Sequence, residues 1–178
     1  MTHSSPTPPV HRPLRLWNLG WVVLVAILVW FLARFGPGMM GHSASLHAPD
    51  MALIQTQPFA IQLHIATALT ALAIGTALLV GLKGNGLHRT LGWIWVVAMA
   101  TTAISSLFIR QINAGAFSYI HLLSGWTIVA LPMAVYAARQ HRVMAHRRAM
   151  VGLFVGGLLI AGLLTFLPGR LMWQVFMG

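Results

Sequence analysis

Residues 59–93, FAIQLHIATALTALAIGTALLVGLKGNGLHRTLGW, decide how the chain folds. An apolar run with no charge reaches Leu82, breaks at the short polar turn KGNG, and resumes behind the pair His88 and Arg89. A membrane helix needs roughly 18 or more apolar residues. The stretch therefore reads as a transmembrane hairpin with a basic turn. Polar chemistry enters at two points: His64 inside the first apolar run, and His88 at the mouth of the second.

Working outward, the rest of the chain repeats this pattern. Of 178 residues, 58% are hydrophobic and 7% are charged, against about a quarter charged in soluble domains. The uncharged runs cover 16–33, 51–82, 90–109, 111–138 and 149–169. They predict an all-α integral membrane protein with five transmembrane helices, at about 16–35, 59–82, 88–109, 117–139 and 146–166. Trp17, Trp21 and Trp30 sit near the ends of the first helix, as interfacial aromatics do. Residues 1–15, rich in proline, serine and threonine, read as a disordered tail, and 16–178 as a single transmembrane domain. The run from Leu16 is too long for a signal-peptide core, so the first helix is expected to be retained.

The net charge of +10 would suggest nucleic acid in a soluble protein, but its distribution points elsewhere. Arg12, Arg15, Lys83, Arg89, Arg139, Arg142, Arg147 and Arg148 fall on one side of the five spans. Arg34, Arg110, Arg170 and the lone acid Asp50 fall on the other. By the positive-inside rule the N-terminus is cytoplasmic and the C-terminus external. No nucleic-acid partner is expected; the partners are membrane lipids. With no cysteine, disulfides, thiolate metal sites and thiol catalysis are excluded.

The hairpins 59–109 and 117–166 carry matching histidines. His64 and His88 are 24 residues apart, and His121 and His146 are 25 apart. Short connections favour a four-helix bundle of the second to fifth helices, with a pseudo-two-fold along the membrane normal. A small residue lies one turn from each histidine: Ala68, Gly92, Gly125 and Ala149. An imidazole projecting into a bundle beside a residue without bulk can serve as an axial haem ligand. His64 with His121 would then form an outer site, and His88 with His146 an inner one. Small residues also serve close helix packing, and histidines can simply bond across a bundle. His64 and His121 lie inside apolar spans, where an ionisable group is costly. His88 and His146 sit at basic helix entrances, where Arg89, Arg147 and Arg148 suit lipid phosphates or other anions.

Other chemistries find less support. Met39, Met40, His42, His47, Asp50 and Met51 crowd the loop before the second helix, and soft thioethers with imidazoles can hold copper. Hydrolysis lacks a general base other than histidine, since the chain has one acidic residue. GLKGNGLH follows a membrane helix rather than a strand, so it is no nucleotide loop.

With HIATALTALAIG at the head of the second helix, HRTLG, HRRAM and GRLM, residues 60–171 resemble an uncharacterised family of bacterial predicted membrane proteins. The resemblance implies a fold and a bacterial inner-membrane location. It singles out His64, His88, Arg89, Gly92, His146, Arg147 and Met150. Pro168 and Gly169 interrupt the usual helix end before Arg170. More distantly, the order of the histidines is similar to that of b-type di-haem membrane cytochromes. That similarity implies haem b held by bis-histidine ligation at His64, His121, His88 and His146. The expected function is electron transfer, with a quinone or a redox protein as partner. The alternative is a non-enzymatic small transporter, assembly factor or accessory subunit with structural histidines.

Overall fold

A computed structural model describes residues 47–81, 83–109 and 119–177, with backbone alone for Tyr119 and Ile120. The chain divides into two compact units, Met1–Ser43 and Ala44–Gly178. The described residues belong to the second. The predicted first helix, 16–35, lies outside them, as do Met39, Met40, His42, Arg110 and the tail 1–15.

The described residues are helical throughout, without a strand. Asp50 caps a short helix α1, Met51–Gln55, by accepting the Leu53 N–H at 3.1 Å. Helix α2, Phe59–Val80, begins behind Pro58. Its last carbonyls are reached by Lys83, whose Nζ donates to Leu79 O at 2.8 Å. Gly84, at φ 83°, lets the chain reverse. Asn85 then caps α3, Gly86–Ser106, by accepting the His88 N–H at 2.7 Å.

Helix α4 is Tyr119–Arg139. It ends in a Schellman turn: Arg142 N donates to Ala137 O at 2.9 Å and His141 N to Ala138 O at 3.0 Å. His141 occupies the left-handed position at φ 55°, where glycine is usual. That histidine is a helix stop. Two residues later the chain is helical again, as α5, Val143–Gly152, the π-helical turns π1, Leu153–Ile160, and α6, Ala161–Leu164. Pro168 and Gly169 form the centre of a type II turn, with Arg170 N donating to Leu167 O at 3.0 Å and Gly169 at φ 83°. A last helix α7, Leu171–Met177, follows. The interruption before Arg170 is thus a defined reversal.

Three of these helices are long and apolar enough to cross a membrane: Phe59–Val80, His121–Arg139 and the continuous Val143–Leu164. Helix α3 has 21 residues, five of them serine or threonine, which lowers its hydropathy. The bundle is inside out relative to a soluble protein. Phe108, Leu122, Trp126 and Val129 are exposed, whereas Thr102, Ser105, Ser106, Ser124 and Thr127 are buried.

Packing closes a ring: α2 lies on α3, α3 on α4, α4 on α5 and π1, and π1 on α2. Helices α2 and α4 are therefore diagonal, as are α3 and the fifth helix. Trp95, Met99, Leu131, Phe154 and Leu158 fill the middle around Ala71. At one end, α1 packs on α7, with His47 N bonded to Phe176 O at 3.1 Å and Asp50 N to Val175 O at 3.0 Å. Trp173 and Val175 are buried there. The other end carries the turns 81–85 and 140–142 with their basic residues, and is called the basic end below.

Close approach occurs at Gly75, on the small-sided face that α2 presents with His64, Ala68 and Ala71, and not at Gly92 or Gly125. A Cβ at Gly92 or Gly125 would meet nothing within 4 Å. At Gly75 it would lie 2.6 Å from the Phe154 ring and 2.7 Å from Trp95 Nε1. Gly75→Ala should cost about 1–3 kcal/mol by overpacking, read as a lower melting temperature in mild detergent. Gly125→Ala should leave it unchanged or raise it.

Candidate functional site

In the half of the bundle away from the basic end, the interior is polar. Thr102, Ser105, Ser106, His121, Ser124 and Thr127 are the buried polar residues among those described, and His64 and Thr67 join them from α2. The sequence places them at helical spacing: 64 and 67 on α2, 102, 105 and 106 on α3, 121, 124 and 127 on α4. Each trio or pair faces inward. Thr102 Oγ1 donates to Thr67 Oγ1 at 2.9 Å, and Ser106 Oγ to Ser124 Oγ at 2.5 Å. These bonds tie α3 to α2 on one side and to α4 on the other. The fifth helix contributes Gly157, whose Cβ would stand 3.3 Å from Met99 Cε and 3.6 Å from Thr127 Oγ1. Widened π turns within an α-helix are frequent at functional sites. Here π1 places glycine opposite Thr127.

His64 is half-buried, and its Nδ1 lies 3.0 Å from Thr102 O and 3.2 Å from Ser105 Oγ. A carbonyl only accepts, so Nδ1 carries the hydrogen and donates it. In the neutral ring, Nε2 then bears the lone pair. His121 is buried in the same layer on the diagonal helix. The Ser106–Ser124 bond fixes the register of α3 and α4, and it sets His64 roughly one helical turn deeper in the bundle than His121.

At the basic end the second pair occupies α3 and α5. His146, half-buried, holds Ala134 O with Nδ1 at 3.0 Å. The same reasoning puts its lone pair on Nε2. His88 is half-buried, and its Nδ1 is shielded without a hydrogen-bond partner among the described residues. It precedes the uncharged run 90–109. Arg89, Arg147 and Arg148 are exposed at this end. Along α3, His88 lies 14 residues from Thr102, and along α4 His121 lies 13 from Ala134. The two levels are therefore about 20 Å apart.

No group of three or more histidine, cysteine or acidic side chains gathers among the described residues. Of the candidate copper ligands, three fall outside the described residues and two have other partners. His47 bonds its neighbour's carbonyl, Ala48 O, at 2.7 Å, and Asp50 caps α1, while Met39, Met40 and His42 lie outside the described residues. The hydroxyl layer was not anticipated as a unit. Its signal is the spacing of serine and threonine on the same faces as His64 and His121.

One outcome tests this geometry. Ser106→Ala and Ser124→Ala should each destabilise the protein in detergent, and the double variant should cost less than their sum, with a coupling of about 0.6 kcal/mol. Strict additivity would separate the two hydroxyls.

No curated protein and no solved structure matches the chain. A family model described as "Predicted membrane protein (DUF2306)" matches residues 61–176. That span contains both histidine levels, the hydroxyl layer, π1 and the Pro168-Gly169 turn, so the chain belongs to the DUF2306 family of predicted membrane proteins.

Proposed function

We propose that the protein is a bacterial inner-membrane electron carrier that holds haem b between histidines of diagonal helices. In this proposal it spans the membrane five times, with the N-terminus and the basic end cytoplasmic and the C-terminus outside. His64 with His121 would serve the outer level, and His88 with His146 the inner one. The observation that carries the proposal is the fixing of His64 and His146 by bonds from Nδ1 to backbone carbonyls of neighbouring helices. Ligating histidines are commonly held this way, which orients the ring and makes Nε2 more basic.

Each of the four bundle helices supplies one imidazole, paired here between diagonal helices. Trp95, Met99 and Phe154 fill the middle, between the two levels. Haem b supplies one-electron chemistry, and two imidazole ligands suit it to transfer rather than to oxygen binding. The chain's own residues orient, desolvate and balance charge. Ser105 can accept a share of the His64 Nδ1 hydrogen, and Arg89, Arg147 and Arg148 can offset propionates at the cytoplasmic face. A quinone or a redox protein would complete the transfer.

The cross-helix bonds of His64 and His146 also favour a second proposal, a non-enzymatic transporter, assembly factor or accessory subunit in which the histidines clamp helices. Spectra of membranes from haem-replete cells distinguish the two. Reduction by dithionite should reveal b-type absorption bands, and His64→Ala combined with His121→Ala should remove the outer component. Colourless membranes containing the intact protein would end the haem proposal; bands unchanged in the double variant would end the outer ligand assignment. For orientation, a reporter enzyme active only outside the cytoplasm should be active when fused at the C-terminus. An inactive fusion there would reverse the topology.

A further inference from the structure

A groove of about 370 Å³ runs along the outside of the bundle between α3 and α4. Its floor is apolar, formed by Val96 and Ala100 from α3 and by Leu131 and Val135 from α4. Its mouth at the basic end is different. Arg139 lines it with its guanidinium 5.9 Å from the centre of the Trp93 ring, and Tyr136 lies beside them. Arg89 stands four residues before Trp93, so it shares that face of α3 one turn nearer the basic end. One arginine thus lines the mouth of an apolar channel and a second stands one helical turn beyond it, in a chain whose described residues include one acid, Asp50, on α1's cap. A neighbouring groove between α2 and α3, lined by Thr67, Trp93, Ile94, Val97, Ala98 and Thr101, shares Trp93 but has no charged residue.

We infer that the α3–α4 groove is a binding site for an anionic phospholipid, with one acyl chain along Val96, Ala100, Leu131 and Val135 and the phosphate between Arg89 and Arg139. Charge complementarity selects this occupant: two cations that cannot be neutralised by the protein meet a phosphate, while the apolar floor meets a hydrocarbon chain. Trp93 and Tyr136 are the interfacial aromatics that mark headgroup depth. Pro132, inside α4, also lines the channel and has no backbone N–H to donate to the preceding turn. The site lies on the lipid-facing side of α3 and uses no histidine; Arg89 alone is shared with the proposed inner haem level, and Arg139 belongs to the groove only.

Trp93 is a built-in reporter. The full-length protein in a neutral detergent is titrated with phosphatidylglycerol or phosphatidylcholine carrying brominated acyl chains, which quench nearby tryptophan. The expected result is quenching by the brominated phosphatidylglycerol at lower concentration, by about fivefold for each arginine, the factor a basic residue near an anionic surface contributes. Arg89→Gln with Arg139→Gln should abolish that preference, Arg139→Lys should keep most of it, and Trp93→Phe should remove the selective component of the signal. Equal quenching by the two lipids, a preference that survives the double arginine variant, or a selective signal that persists without Trp93 would each overturn the site. Elution as one species from gel filtration confirms that each variant is folded, and inorganic phosphate at matched concentration should not displace the lipid.

Discussion

The bond from His64 Nδ1 to the backbone carbonyl of Thr102 is the interaction on which the rest of the site depends. In hydrocarbon no water satisfies a polar side chain, so each must find its partner within the protein. His64 finds one on the neighbouring helix. That choice pins α2 to α3 at a fixed register, determines which ring nitrogen carries the hydrogen, and leaves the other with its lone pair. Thr102 and Thr67 reinforce the register through their hydroxyls, and Ser106 with Ser124 carries it on to α4. The polar layer is thereby held as one connected unit. His146 repeats the device at the basic end with Ala134 O.

Much of this was legible in the residue order, for physical reasons. Charges cannot lie within an apolar span at small cost, so the uncharged runs mark the membrane helices without any alignment. Asn85 before His88 and the glycine of KGNG announce the turn between α2 and α3. Histidine in the body of an apolar helix is conspicuous, and His64 and His121 stood out on that ground. Serine and threonine are not conspicuous there, since each can bond the carbonyl one turn back, as Thr70 and Thr76 do on α2. Whether such a hydroxyl faces lipid or a partner helix depends on packing, so the layer at Thr102, Ser105 and Ser106 emerged only with the fold.

Other features were hidden for related reasons. Gly75, Gly92 and Gly125 look alike in sequence, yet Gly75 alone of the three meets bulky neighbours, because Trp95 and Phe154 converge on it from two other helices. The π turns at Leu153–Ile160 have no compositional mark beyond a glycine pair. Helix α7 is seven residues long, and its existence follows from the reversal at Pro168-Gly169 and from burial of Trp173 and Val175. The family match supports a membrane protein and covers the bundle; what the bundle does rests on the histidines and their bonds.

The central proposal is that imidazoles from diagonal helices, one of each pair fixed through Nδ1, would present Nε2 to one haem iron at each level. Electron paramagnetic resonance of the oxidised, purified protein addresses it most directly, because the signal reports the axial ligands of ferric haem. A low-spin ferric signal of the bis-imidazole kind, diminished by loss of His64, is the predicted result. A high-spin signal, or no haem signal from folded protein prepared with ample haem, would contradict it.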